Sequence, residues 1–418
     1  MPKNPAADPF DDDAFGEDLF DEEPRDAQPA ASAPQGPDQT DRVIIAAAEE
    51  LGTGCPCDMI VVDDATGELT AFALASVAEH EDAVVLSWTS SLTLAMTLQE
   101  RFAAQIDAGR LRLPAGPETV PLEEAAAGVE GHLLVLMRLP KAVHALEDRA
   151  RRLTEAVRAS GQNGLSIIAG GRVKHMTRAQ NDVLATLFTE VRASRGIGKS
   201  RALIGSELRE VVPAPAIAEG TARVAVRGQR RELALRGIGA VFGGAGADAG
   251  SRLLLDALDR AVAAGELGTS EAPVGSAVDL GCGNGLMTAY LAAALPEAAV
   301  TGSDADADAV GSTRATLAAN RLDREGVEVT WDDVLSRVDD ASVDLVLLNP
   351  PFHDGTAVDA TLVQGLLDAA ARVLRPGGQL WFVHNSYLRY RTEVERRVGP
   401  VRQRSRDRRF TVLSATRS

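Results

Sequence analysis

The chain has 418 residues, enough for two or three domains. Its apolar share of 45% and charged share of 25% are ordinary globular usage, which excludes collagen-like, mucin-like and wholly disordered chains. The net charge of −17 is unevenly spread: residues 141–236 carry +9 and residues 386–418 carry +7, among acidic stretches. Local patches, not total charge, decide whether a polyanion docks. No run approaches the roughly 18–20 apolar residues of a membrane span. The acidic N-terminus is unlike a signal peptide, and three cysteines (Cys55, Cys57 and Cys282) cannot build a disulfide framework. A cytoplasmic protein without membrane contact is expected.

Residues 1–41 are rich in Pro, Ala, Asp and Glu and lack apolar periodicity, so they are expected to form a disordered acidic tail. From residue 42 the short apolar runs Asp58–Asp63, Ala83–Trp88, His132–Met137 and Gly164–Ala169 alternate with the helix-like stretches Ser91–Ala108, Lys141–Ala159 and Thr177–Arg192. This alternation predicts a mostly parallel sheet with helices on both faces. The first domain, 42–220, shows no glycine-rich loop after its first strand. Val211–Pro215 reads as a connection, and Thr221–Val226 with Arg231–Leu235 as a hairpin. A flexible loop, Phe242–Ser251, precedes a helix over Arg252–Ala264. In the second domain, 221–418, strands are predicted at Ala277–Leu280, Ala299–Ser303, Val327–Trp331, Val343–Leu348, Gln379–His384 and Phe410–Ser414. Helices are predicted at Leu286–Leu295, Ala309–Asn320 and Leu362–Leu374. The halves share a layout, as duplicated domains would, and only the second carries a ligand loop.

That loop is Val278-Asp279-Leu280-Gly281-Cys282-Gly283-Asn284-Gly285, at a strand-to-helix junction. Its glycines allow a tight turn and close backbone approach to a ligand. Dinucleotide enzymes use similar spacing, but a carboxylate at Asp279 suits a ligand with ammonium and sulfonium charge better than a diphosphate. Asp304 ends the next strand, where a carboxylate can accept both ribose hydroxyls of an adenosine. Of Asp332 and Asp333, after the third strand, Asp333 is the candidate partner of an adenine amine. Asp306 and Asp308 are expected to favour the helix N-terminus that follows Asp304.

Asn349-Pro350-Pro351-Phe352 follows the apolar strand Val343–Leu348. Two consecutive prolines make a rigid loop without two amide donors. The Asn349 side-chain oxygen and the Pro350 carbonyl can then hold both hydrogens of a planar NH₂ group, and Phe352 can stack on the attached ring. An NAD-dependent oxidoreductase would not require this loop. Cys55 and Cys57 have no second CxxC or histidine pair, so no metal site is expected. Cys282 reads as a packing residue.

The layout resembles the class I S-adenosylmethionine-dependent methyltransferases that act on amino groups. Asn349–Gly355, Ala318-Ala319-Asn320-Arg321, Arg375-Pro376-Gly377-Gly378, Arg409-Phe410, and Gly239–Phe242 with Gly246–Ser251, are similar to the ribosomal RNA guanine-N2 methyltransferases. Leu139-Pro140-Lys141 and Ile168–His175 resemble landmarks of that family's N-terminal half. The resemblance implies two tandem Rossmann-like methyltransferase domains, the N-terminal one degenerate and RNA-binding. It implies S-adenosyl-L-methionine held by Asp279, Gly281, Gly283, Asn284, Gly285, Asp304 and Asp333, with Asn349, Pro350 and Phe352 at the reacting amine. The expected partner is ribosomal RNA or a ribosomal subunit. Methylation of a protein glutamine or DNA adenine, and a non-catalytic RNA-binding role, are the alternatives.

Overall fold

The computed structural model describes residues 36–52, 59–80, 82–127, 132–161, 164–267, 273–350 and 360–418. Most of the expected tail, Cys55, Cys57 and the loop 351–359 with Phe352 lie outside these residues. The first half runs α1 (Gln39–Leu51), β1 (Met59–Val62), α2 (Glu68–Ser76), β2 (Val85–Trp88), α3 (Leu92–Arg101), α4 (Ala103–Asp107), β3 (Leu111–Arg112), α5 (Leu122–Ala125), β4 (Leu133–Arg138), α6 (Val143–Ala159) and β5 (Leu165–Arg172). It ends in α7 (Arg178–Ala185), β6 (Phe188–Ala193) and β7 (Ser200–Leu208). The hairpin β8 (Ala218–Val226) and β9 (Gln229–Gly237) leads to α8 (Ala249–Ala263), β10 (Ser276–Leu280), α9 (Leu286–Ala294), β11 (Ala299–Asp304), α10 (Ala307–Asn320), β12 (Val327–Trp331) and β13 (Val343–Leu348). Then come α11 (Ala360–Val373), β14 (Leu374–Asn385), α12 (Arg391–Arg397), β15 (Val401–Arg406) and β16 (Phe410–Thr416).

The two seven-stranded sheets have one topology, β3-β2-β1-β4-β5-β7-β6 and β12-β11-β10-β13-β14-β16-β15. Five strands of each are parallel, and the last two add antiparallel pairings. The apolar runs read from the sequence are the central strands, buried along their length in β1, β2 and β13. Among the described residues no helix is long and apolar enough to cross a membrane.

Three local expectations shift. Helix α1 starts at Gln39, ahead of residue 42, because Asp38 caps it and Asp41 returns the bond as a capping box. The stretch Thr177–Arg192 is not one helix: α7 stops at Ala185 and residues 188–193 form an edge strand. The arginine-rich tail hides a second edge strand, β15. Both edge strands are largely polar, and of their residues only Phe188 is buried, so neither carries an apolar run. The expected hairpin forms, with a tighter turn at Arg227-Gly228, both at positive φ.

Helix α10 organises the second domain. Asp308, Ser312, Thr316 and Asn320 recur every fourth residue and so share one face. Their side-chain oxygens accept from the amides of Ala240, Ile238, Arg236 and Ala234 at 3.1, 2.9, 2.9 and 2.9 Å. Four residues of helix rise about 6.0 Å and two of strand about 6.7 Å, so the two rows keep step. A polar helix stripe thus serves β9, and the chain continuing from it, as a neighbouring strand would. Asn320 also donates to the Ala234 carbonyl at 2.7 Å.

Asp308 has a second partner. Arg149, on α6 of the first domain, reaches it with two parallel bonds of 3.1 and 2.8 Å. The Arg149 residue is 2% exposed. Its guanidinium lies 4.7 Å from the Trp88 ring centroid, with Asp148 and Asp63 carboxylates at 3.3 and 3.5 Å. These carboxylates hold its charge on despite burial. Beside it the domains exchange two backbone bonds, Leu92 to the Ala305 carbonyl and Ala307 to that of Ser90, both 2.8 Å. Ser91 and Asp306 form the resulting antiparallel bridge. These segments follow β2 and β11, the same strand of each domain, so the contact is an internal version of a two-fold interface. Leu92 and Ala95 also join the second domain's apolar core. Removing one partner from a buried ion pair typically costs about 3–5 kcal/mol. Arg149→Met should therefore lower the unfolding free energy by about that much in urea denaturation, and a loss below about 1 kcal/mol would mean the pair is not an anchor.

Candidate active site

A cavity of about 410 Å³ opens at the C-terminal ends of β10, β11 and β13, where open α/β sheets bind ligands. Its floor is Gly281–Asn284, and its walls come from Asp304–Asp306, Asp332–Val334, Ala240–Gly243, the start of α8, Asn349, and Leu362 and Leu366 of α11. Gly281 and Gly283 adopt φ of +81° and +52°, and a Cβ on either would meet no protein atom within 4 Å. The loop backbone is thus bare toward the cavity. Gly285 is needed for a different reason. A Cβ there would stand 2.8 Å from the Thr313 Cα of α10. The hydroxyl of Thr313 in turn donates to the Gly283 carbonyl at 3.0 Å.

Asp304 sits at the rim of the loop. Its carboxylate accepts from the Gly283 amide at 3.0 Å and the Asp306 amide at 3.0 Å, and burial pushes its pKa up. Asp306 is the N-cap of α10, as expected, and burial with the Asp308 charge raises it to about 7. Asp308 lies in the first turn of the helix, as expected, and its carboxylate also binds Arg149 and the Ala240 amide. Asp332 is turned inward, accepting from Ser336 and the Arg337 amide. Asp333 lines the cavity, and among the described residues its carboxylate has no hydrogen-bond partner.

Two expected cofactor contacts have other work. Asp279 is fully buried and does not reach the cavity wall. It lies inside β10 beneath the loop, where Thr288 donates to it at 2.6 Å and burial raises its pKa to about 7. Asn284 borders the cavity, but its amide donates to the carbonyls of Gly244 and Gly246 at 2.9 and 2.7 Å. It clamps the 243–246 segment over the glycine loop.

Asn349 is held in one orientation on the wall. Its Nδ2 donates to Asp248 Oδ2 at 3.1 Å and Ser251 Oγ at 2.9 Å. Asp248 caps α8, and its carboxylate can only accept, so the amide nitrogen must face it. The Oδ1 is left as an unused acceptor at the cavity. Pro350 is buried behind it, and Phe352 lies outside the described residues. Phe242 is a site residue that the sequence does not signal. It lines the cavity and is 52% exposed, and an exposed aromatic beside glycines carries no periodic signal.

The first domain shows what the equivalent site has become. Its register places Asp63-Asp64-Ala65-Thr66-Gly67 opposite Gly281-Cys282-Gly283-Asn284-Gly285. The Asp63 amide bonds the Trp88 carbonyl at 2.9 Å as the Gly281 amide bonds that of Ser303 at 2.8 Å. Only Gly67 survives as a left-handed helix cap, at φ +78° against +81° for Gly285. Val61 stands at the position of Asp279 and Thr89 at that of Asp304. At the Asn349 position, Arg138 reaches the cap Asp38 and Asp41, both at 2.7 Å. The same helix cap that orients an amide in one domain is neutralised by an ion pair in the other. Among the described residues no group of three or more His, Cys, Asp or Glu could hold a metal ion.

Residues 232–414 match the methyltransferase small domain family, and residues 27–210 match the RLMG N-terminal domain family. The chain is similar to ribosomal RNA large subunit methyltransferase G of Pseudomonas aeruginosa, 31% identical over 90% of this chain and 92% of that protein. The protein of that name from Streptomyces avermitilis is 29% identical over 91% and 92%. The fold is that of the T. thermophilus 16S rRNA N2 methyltransferase solved with AdoMet and guanosine, with a TM-score of 0.68, 23% identity and 94% of each chain covered. The identities run through both halves at nearly full length, so the chain belongs to the ribosomal RNA large subunit methyltransferase G family.

Proposed function

We propose that the chain transfers a methyl group from S-adenosylmethionine to the exocyclic N2 amine of a guanine in ribosomal RNA. The observation that carries this reading is the Asn349 amide, whose two N–H bonds are spent on Asp248 and Ser251 so that Oδ1 presents a fixed acceptor. The relatives' shared name supports ribosomal RNA of the large subunit as substrate.

The cavity fits the cofactor on three counts. The bare backbone of Gly281 and Gly283 admits close approach, the Asp304 carboxylate offers remaining lone pairs to a ribose diol, and Asp333, without a hydrogen-bond partner among the described residues, suits an adenine amine. Asp279 lies beneath the loop, and Asn284, whose amide is spent on the Gly244 and Gly246 carbonyls, shapes the cavity floor. When bound, S-adenosylmethionine supplies a methyl group on a cationic sulfur that is a good leaving group.

The chain's part is positioning. Guanine N2 is a weak nucleophile because its lone pair is delocalised into the ring. Asn349 Oδ1 accepts one N–H of that amine, with the Pro350 carbonyl proposed as the second acceptor and Phe352 as the stacking ring. Holding both hydrogens directs the nitrogen lone pair outward. Because the amine gains positive character as it reacts, a fixed acceptor favours the transition state over the ground state. A base within a duplex must be extruded to reach this wall. In the first domain the exposed Arg172, Lys174, Arg192, Arg195, Lys199 and Arg201 have no acidic partner among the described residues. This supports that domain as a grip on RNA phosphates.

Asn349→Ala is expected to lower the single-turnover rate with ribosomal RNA by about 10²–10³-fold while S-adenosylmethionine affinity, measured by calorimetry, stays within about twofold of the parent. A normal rate would make the Asn-Pro-Pro loop structural only. Asp304→Ala, which removes a charged hydrogen-bonding group, should weaken S-adenosylmethionine binding by roughly 10- to 150-fold. Unchanged binding would remove Asp304 from the cofactor site. Parallel assays of tritiated methyl transfer to RNA, DNA and protein separate the proposed substrate from a DNA adenine or a protein glutamine.

A further inference from the structure

Beside the Asn349 wall the second domain has a corner that the reaction does not use. It is formed where β14 ends and where the chain turns between β15 and β16. Tyr387 stands there 67% exposed, with its hydroxyl held by Asn385 Nδ2 at 3.2 Å. The strand end and the turn are tied together, because the Ser386 amide donates to the Arg409 carbonyl at 2.8 Å and its hydroxyl meets Thr411 at 2.8 Å. The one carboxylate of the turn, Asp407, is occupied by the Arg409 and Phe410 amides, both at 2.7 Å. Arg389, Arg406, Arg408 and Arg409 are all exposed and have no acidic partner among the described residues. Arg402 and Arg404, on the same strand as Arg406, share Glu266, and Arg396 and Arg397 share Glu393. The four arginines of the corner are thus left without a carboxylate among the described residues, while Arg396, Arg397, Arg402 and Arg404 beside it are paired.

The corner adjoins the reacting centre. Phe410 Cδ1 and Asn349 Oδ1 lie 3.5 and 3.4 Å from the same point, where a Cβ on Gly250 would stand. The first domain has the matching corner, in which the Val173 amide donates to the Lys199 carbonyl at 2.9 Å as Ser386 does to Arg409. There Lys174 holds the place of Tyr387 and is exposed. Both corners present free cations, and the one beside Asn349 also presents an aromatic ring.

We infer that this corner is a subsite for an unpaired nucleotide flanking the target base, its base stacked on Tyr387 and its phosphates met by Arg389, Arg406, Arg408 and Arg409. The inference rests on the reading of the chain as an RNA methyltransferase and adds where the strand beside the extruded base lies. A ring plus a fan of guanidinium groups is the chemistry that recognises single-stranded nucleic acid, and it tolerates any base because every base has a π face.

The test uses the full chain and fluorescence anisotropy with a labelled single-stranded oligouridylate, with labelled poly-aspartate as the non-nucleotide polyanion. Tyr387→Ala should weaken oligouridylate binding on the order of tenfold, Tyr387→Phe should retain it, and neither should change poly-aspartate binding. Arg408→Gln combined with Arg409→Gln should reduce the slope of log affinity against log salt by about 1.4, two single-strand phosphate contacts. Unchanged oligouridylate binding in Tyr387→Ala overturns the subsite, as does an equal loss for poly-aspartate, which would make the corner a general anion or acidic-protein surface. Methyl transfer to ribosomal RNA by the unmodified chain is read alongside. Transfer with no effect of the corner variants sinks the subsite alone. A Tyr387 effect without any transfer leaves the subsite standing and sinks the enzymatic reading.

Discussion

The buried carboxylate of Asp308 is where three parts of the molecule meet. It begins the polar stripe of α10, accepts from the Ala240 amide on the cavity wall, and closes a two-bond ion pair with Arg149 of the other domain. A carboxylate taken from water must be matched by charge and by donors, and here neither domain supplies the match alone. The consequence is spatial. The segment from Ile238 to Val241 is held between α10 and the cavity, and the backbone bridge at Ser91 and Asp306 ends one residue from Ala305 and two from Asp304. The first domain is thus part of the frame of the second domain's ligand cavity, in addition to any role in holding RNA.

The duplication makes the chemistry easier to interpret. Both domains build the same pocket frame, with strand, left-handed glycine cap, helix, and a cap carboxylate that faces the end of the fourth parallel strand of the pocket. In the second domain that carboxylate fixes the Asn349 amide so that its oxygen is free. In the first it faces Arg138, whose guanidinium has no acceptor to offer and is consumed by Asp38 and Asp41. Replacing glycines by Asp63 and Ala65 adds side chains where the other loop leaves bare backbone. Each change removes one element of ligand recognition without disturbing the sheet, which is why the fold persists where the site does not.

The sequence made the architecture legible where burial imposes a pattern. The central strands are buried on both faces and read as unbroken apolar runs, and the glycine loop and Asn349-Pro350-Pro351-Phe352 fall at strand ends where ligands bind. Edge strands β6 and β15 were not legible, because they are largely polar and lack the apolar run of a strand covered on both faces, although each pairs with the strand that follows it in the chain. The site was legible in its residue types and less so in their division of labour. Asp279 and Asp304 look alike in a string of letters, yet strand geometry buries one under the loop and leaves the other at the cavity. Asn284 and Asn320 both turned out to hold backbone, and Arg149 gave no local sign of being the bridge between domains. Such roles depend on contacts across tens to hundreds of residues, which spacing alone does not encode.

The central claim is that the fixed Asn349 acceptor presents a guanine N2 amine for methylation. The most direct measurement is nucleoside mass spectrometry of ribosomal RNA from cells that have or lack the protein, with the modified position mapped. The account predicts one N2-methylguanosine in ribosomal RNA that disappears without the protein and returns with the parent chain but not with Asn349→Ala. An unchanged set of N2-methylguanosines, or restoration of a lost one by Asn349→Ala at the parent level, would contradict it.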